Sequence, residues 1–218
     1  MVAQLSQLRA DWLALLNRQR AIAIIRAGSV AESLSMAKAA SAGGLRLLEV
    51  AWSSSGPPAE MLRAIRRALP HCTVGAGSVL TPADLQTAIA AEAQFCFTPH
   101  TDPYLIQLGQ QAGLPLVAGA MTPTEIVTAW RAGAASVKVF PISTLGNEAY
   151  LRSLRGPIGP IPLVPTGGVT SETAPRLIAA GAIAVGLSTA LFPADEVARG
   201  DWDAIEARSR YLLALLAR

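Results

Sequence analysis

Lysine is almost missing from this chain. Of its 18 basic residues 16 are arginine, and the two lysines are Lys38 and Lys138. Histidine is as scarce, with His71 and His100 alone, and no cluster of carboxylates stands near either, so the sequence offers no ligand set for a metal. Two cysteines, Cys72 and Cys96, have neither CxxC spacing nor enough partners for a disulfide framework, and they read as buried thiols of a reducing cytosol. Aromatic residues make up 5% of the chain and no basic stripe is interleaved with them, which argues against nucleic acid. The densest basic cluster, "RAIRR" at 63–67, reads as the solvated face of a helix.

Targeting and membrane signals are missing too. The N-terminus "MVAQLSQLRADWLALLNRQR" has no basic leader and no unbroken apolar run, and Asp11 falls inside it. Its Leu5, Leu8, Trp12, Leu15 and Leu16 recur at helical spacing, so an amphipathic helix is expected. The uncharged run from Leu177 to Ala194 has the length of a membrane span, but Gly181, Gly186, Ser188, Thr189 and Pro193 interrupt it. A helix end, a buried strand and a loop account for it better. No nucleic acid, no membrane and a cytoplasmic location are the expectations.

What the chain has is apolar bulk and rhythm. At 218 residues, 51% hydrophobic and 15% charged, it can bury a substantial core. A short apolar run is followed by Ser, Thr, Asp or Pro, then an alanine-rich helix, then glycine. The expected strands lie at 21–27, 45–52, 72–77, 94–99, 114–119, 136–141, 161–168 and 182–188. Helices fit between them at about 29–42, 57–69, 82–92, 102–112, 122–132, 146–155 and 171–180. "SAGG", "AGLP", "RAGA" and "AAGA" place glycine where helices end. "TPADL", "TDPYL" and "TPTEI" open helices with a threonine cap and a first-turn proline.

Eight strands alternating with helices fit either an open doubly wound sheet or a closed (β/α)8 TIM barrel. No GxGxxG opens a helix after the first strand, so the dinucleotide version of the open sheet lacks its signature. The barrel is the expected α/β fold, as a single domain over 1–218: an N-terminal helix at 1–20, the barrel at 21–193 and a closing helix at 194–218.

A barrel of this kind builds its active site from the C-terminal ends of the strands and the loops beyond them. The strands deliver there, in order, Arg26, then Glu49, then Gly77 and Ser78. Thr98, Pro99 and His100 follow, then Lys138 and Phe140, then Thr166, Gly167 and Gly168, and last Gly186, Ser188 and Thr189. Lys138 sits in "SVKVFP", between two valines. A chain that uses arginine wherever it wants ordinary charge has reason to keep this lysine for its amine, which can lose a proton and attack a carbonyl. The alternative is a lysine snorkelling from a strand end. Glu49, in "LLEVAW", is costly there without a partner, and a buried ion pair with Arg46 or Arg26 is the structural alternative. His100 reads first as a loop hydrogen-bonder. "GAGS" fits a tight turn, and "PTGG" fits either a turn or backbone donors for a phosphate.

"LLEV", "VGAGSV", "TPH", "SVKVFP" and "VPTGGV", in this order and spacing, resemble the 2-keto-3-deoxy-6-phosphogluconate (KDPG) aldolase family, over about Ala21 to Pro193. The resemblance implies a class I aldolase on a (β/α)8 barrel, with Lys138 as the Schiff-base lysine and Glu49 as the general acid and base. It implies Arg26 and Ser78 around the pyruvate carboxylate, and a phosphate loop at Gly167 and Gly168 completed by Ser188 and Thr189. Pro99, Phe140 and Thr166 are expected to line the substrate beside them. Such chemistry asks for no metal and no organic cofactor. The partner is a small 2-keto acid, phosphorylated in the leading reading, and the family implies a homotrimer.

Two positions depart from the family pattern. Ser53 stands four residues beyond Glu49, where many members carry arginine. Ser188-Thr189 stands where Gly-Ser is common, and there a Cβ is expected to push the phosphate outward or to forbid a positive φ. Weakened phosphate binding would favour 4-hydroxy-2-oxoglutarate cleavage or oxaloacetate decarboxylation by the same lysine. A phosphosugar-binding barrel without catalysis is the alternative from another class, and the joint presence of Lys138 and Glu49 argues against it.

Overall fold

The computed structural model describes residues 2–217. Helix α1 (Val2–Gln19) precedes β1 (Ala21–Ile25), α2 (Val30–Ala42), β2 (Leu47–Ala51) and α3 (Pro58–Ala68). Next come β3 (Thr73–Gly77), α4 (Pro82–Ala90), β4 (Cys96–Phe97), α5 (Pro103–Gln111), β5 (Leu116–Ala120) and α6 (Pro123–Arg131). Strand β6 (Ser136–Val139) leads through a 3₁₀ turn (Ile142–Leu145) to α7 (Glu148–Ile158) and β7 (Leu163–Pro165). The chain ends with α8 (Thr173–Ala179), β8 (Val185–Leu187), α9 (Ala194–Arg199) and α10 (Trp202–Leu216).

All eight strands run parallel, in the order β7-β6-β5-β4-β3-β2-β1-β8. A bridge between Thr166 and Gly186, with the Ile183 N–H donating to Leu163 O at 3.0 Å, joins the two edges and closes the barrel. The strands are shorter than the apolar runs in the sequence. At 161–168 the run continues past β7 because Thr166 N–H donates to Val139 O and Thr166 O accepts from Ile142 N–H, so Thr166 is buried like a strand residue, while Gly168 beyond it is exposed.

The helix boundaries follow local chemistry. Thr81 with Asp84 and Thr122 with Glu125 form capping boxes at α4 and α6. In "TDPYL" the cap is Asp102, not the expected Thr101: Asp102 accepts from Tyr104 N–H at 2.8 Å, while the Thr101 hydroxyl donates to Gly119 O at 2.7 Å. Asp wins because its carboxylate meets the positive helix end. The closing segment 194–218 is two helices rather than one, since Gly200 turns left-handed and Asp201 caps α10.

Apolar side chains form two cores. One lies between the outer face of the barrel and the helices, and holds Ile25, Leu48, Val50, Val137 and Val139. The other fills the barrel: Ile22, Leu47, Phe95, Phe97, Val117, Val164 and Ala184, with Trp12 and Leu16 of α1 inserted from below. Because successive strand residues point to opposite faces, Val137 and Val139 on the outside put Lys138 on the inside, and Leu48 and Val50 do the same for Glu49.

Candidate active site

Lys138 and Glu49 are the charged side chains of the barrel interior with almost no exposure, at 4% and 1%. Burial raises the Glu49 carboxyl, against the opposing charges of Lys138 and Arg26. Burial likewise lowers the Lys138 ammonium, against Glu49 and with Arg26 adding to the lowering. Both groups are thereby moved towards their neutral forms. Among the described residues they form no direct ion pair with each other. The Lys138 Nζ stands 4.7 Å from the centre of the Phe140 ring. Neither Lys138 nor Glu49 is thus tied up by the other, and each feels the other's charge.

Glycine makes the room. A side chain on Gly77 would overlap the Glu49 carboxylate, and one on Gly119 would overlap the backbone of Pro99. Gly119 pairs in register with Lys138, so the Pro99 turn is drawn in beside the lysine. Thr98 fixes that turn, donating to His100 O at 2.7 Å and accepting from Gly119 N–H at 3.3 Å.

Arg26 follows β1 directly. It is exposed, and its guanidinium donates to the Ser53 hydroxyl on the loop after β2. Ser53 therefore orients Arg26. Arg46, offered by sequence as a partner for Glu49, is engaged elsewhere: it donates to Ser41 O at 2.7 Å and Leu45 O at 3.0 Å, before β2 begins. Ser78 closes β3 with a left-handed φ of 59°, costly for a residue with a Cβ and a mark of over-determined local structure.

The loops after β6, β7 and β8 form the opposite rim. Ile142 N–H donates to Thr166 O at 2.9 Å and Ser143 N–H to Gly167 O at 3.2 Å, zipping two loops together. Gly167 and Gly168 adopt left-handed φ of 89° and 76°, and the Ser143 side chain fills the space a Cβ on Gly168 would need. Gly186 faces the Thr166 side chain across the closing bridge. Ser188 has no left-handed φ; its carbonyl accepts from Leu191 and Phe192 N–H, each at 2.9 Å. The positive φ expected to be at stake there is not used. Thr189 is exposed beside it.

Of the sequence-derived residues, Lys138 and Glu49 converge in the interior, with Phe140 against the lysine. His100 is exposed and contributes its carbonyl to the Thr98 turn, as a loop hydrogen-bonder does. Sequence reasoning missed Gly119 and Ser143. An isolated glycine inside the strand run "LPLVAG" is a signal of close backbone approach and could have found the first. Nothing in "PIST" announces the second.

The family model for KDPG and KHG aldolase matches residues 13–208. The chain is 35% identical over 207 residues to the 2-dehydro-3-deoxy-phosphogluconate aldolase of Pseudomonas aeruginosa, covering 93% of this chain and 92% of that one. It is 30% identical to the KHG/KDPG aldolase of Escherichia coli K12, covering 87% and 88%. Its fold superposes with a TM-score of 0.81 on the KDPG aldolase of Zymomonas mobilis ZM4, solved with 3-phosphoglycerate, at 25% identity over 93% of this chain and 95% of that one.

Proposed function

The chain belongs to the KDPG and KHG aldolase family, and from that membership and the geometry of the barrel interior we infer a class I aldolase that cleaves KDPG to pyruvate and glyceraldehyde 3-phosphate. The observation that carries the reading is the pair Lys138 and Glu49: both buried, both moved towards neutrality, neither closed on the other. Neutral Lys138 attacks the C2 ketone. Glu49 moves protons as the carbinolamine loses water and a protonated imine forms. Glu49 then takes the C4 hydroxyl proton, the C3–C4 bond breaks, and the electron pair rests in an enamine. Protonation of that enamine and hydrolysis release pyruvate and restore the amine. Arg26 and Ser78 face the pyruvate carboxylate in this assignment. Gly167, Gly168, Ser188 and Thr189 take the phosphate, and Pro99, Phe140 and Thr166 line the path between.

Incubation with pyruvate and borohydride should place one reduced adduct on Lys138, and Lys138→Arg, which keeps charge without a transferable lone pair, should abolish turnover. An adduct on Lys38 or the N-terminus would sink the assignment. The relative named for both KHG and KDPG favours a second activity on 4-hydroxy-2-oxoglutarate by the same pair. Oxaloacetate decarboxylation follows the same electron path, with CO₂ leaving in place of an aldehyde. The homotrimer implied by the family resemblance would have Leu80, Tyr104 and Met121, at 55%, 57% and 42% exposure, as apolar side chains to cover. Sedimentation of wild type against Tyr104→Lys tests it. Two free, buried thiols support a cytoplasmic location.

A further inference from the structure

Below Lys138 the barrel is not closed by its own strands alone. Register places Phe97 beside Val117 and Val117 beside Ser136. These three form the layer under Lys138, since Ser136 precedes the lysine by two residues on the same face, roughly 7 Å along the strand. Trp12 of α1 enters this layer from below. Its ring lies 5.1 Å from that of Phe95 and 6.3 Å from that of Phe97, and its indole N–H donates to the Ser136 hydroxyl at 3.0 Å. Trp12 is 3% exposed and Ser136 is fully buried. A hydroxyl in so dry a position is costly unless bonded, and the indole supplies the bond.

We propose that Trp12 is a positioning residue for catalysis: by locking its indole onto Ser136, α1 seals the barrel floor and keeps water from beneath Lys138, so that the supply of free amine is set by a residue that never touches substrate. The inference rests on the Schiff-base reading above. The charged groups acting on Lys138 are Glu49 from β2 and Arg26 from the loop after β1, while its register neighbours on β5 and β7 are Gly119 and Val164. The substitutions at the floor remove none of these groups. Breaking the Trp12–Ser136 bond leaves one polar group unpaired in a loosened layer, and a water admitted there would take that group and the Lys138 amine above it as its two partners. Water there would hydrate the ammonium, restore its affinity for protons and move the acid limb of imine formation to higher pH.

The test is the rate of borohydride-trapped pyruvate adduct as a function of pH, in wild type, Trp12→Phe, Ser136→Ala and the double variant. Trp12→Phe keeps the aromatic packing and loses the donor; Ser136→Ala loses the acceptor. Each single change should move the curve up by about one pH unit, a roughly tenfold loss of free amine at neutral pH. The double variant has no unpaired polar group left to hold water, so its curve should return towards wild type even if its melting temperature does not. Wild-type adduct with all four curves superimposed would overturn the proposal and leave the aldolase reading intact, whatever the melting temperatures. No adduct on Lys138 in the wild type would remove both.

Discussion

Gly77 and Glu49 occupy one space: the carboxylate of Glu49 lies where a side chain on Gly77 would be. Gly77 has no left-handed φ, so it is needed for its emptiness rather than for its backbone freedom. Gly77→Ala is therefore expected to push the carboxylate aside while leaving β3 in place. General acid–base loss costs about 10²–10⁴-fold in rate, and kcat should fall into that range. Pyruvate should still label Lys138 with borohydride, more slowly. Near-normal kcat in a folded Gly77→Ala protein would mean that the position of Glu49 does not limit turnover.

Lys138 costs stability. Its ammonium is pushed below the ordinary 10.5 chiefly by burial, with Glu49 opposing and Arg26 assisting. The unfolded chain thus binds that proton more tightly than the folded one. The lysine's contribution is fully present above pH 10.5 and is lost as pH falls through the lowered value. In a Glu49→Gln background, which removes the countercharge, adding Lys138→Met should raise stability at pH 7 by about 1.4 kcal/mol for each unit of lowering. The gain should close as pH approaches 10.5. Urea unfolding at pH 7 and pH 10 checks both halves; a gain that does not change with pH would place the cost in packing instead of charge.

The fold was legible because its signals are local and repeated. Apolar runs, threonine-led helix starts and glycine stops recur often enough that a blurred boundary, such as 94–99 for Cys96–Phe97, does not alter the topology. Lys138 and Glu49 were legible as exceptions, one a rare residue type and one a charge in an apolar run. The steric facts were not. That Gly77 clears space for Glu49, that Gly119 admits the Pro99 turn, and that Trp12 reaches Ser136 across 124 positions of sequence are long-range contacts with no local trace. Asp102 takes the helix cap for its charge, and the Thr101 hydroxyl turns instead to Gly119 O, an acceptor that only the barrel brings near.

Asn147 is the least comfortable residue of the described chain outside the site. It stands at the start of α7 with φ 54° and ψ −127°, its side chain does not cap the helix, and its buried Oδ1 has no partner. Sparsely populated backbone of this kind costs about 1–3 kcal/mol, and glycine adopts it freely. Glycine also frees the unfolded chain, at about 0.4–1 kcal/mol. Asn147→Gly should stabilise the protein by about 1 kcal/mol net, seen as a higher urea midpoint at unchanged slope. A lower midpoint would show that the buried amide is satisfied and holds the turn.

Ser188 belongs to the phosphate rim of the proposed site. A Cβ at this position is expected to weaken binding by pushing the phosphate outward or by forbidding a left-handed backbone, and on those grounds Ser188→Gly would lower KM for the phosphorylated substrate. The structure removes the second ground. Ser188 is not left-handed, and its carbonyl is tied to Leu191 and Phe192 N–H, so the loop is already in an ordinary conformation. Among the described residues its partly buried hydroxyl has no protein partner. It sits just beyond the Thr166–Gly186 bridge that brings β8 against the Gly167–Gly168 turn. A free hydroxyl at that rim is a donor for an anion, and hydrogen bonds to charged groups are worth about 1.5–3 kcal/mol. Ser188→Ala should then raise KM for KDPG by about tenfold or more, since each 1.4 kcal/mol is tenfold. Ser188→Gly should do the same rather than the reverse. Oxaloacetate and 4-hydroxy-2-oxoglutarate carry no phosphate, so their KM values should stay within about twofold, inside the ±0.5 kcal/mol of a neutral surface change. Equal shifts for all three substrates would make Ser188 a part of the barrel wall. A lower KM for KDPG alone would return it to the role of obstruction.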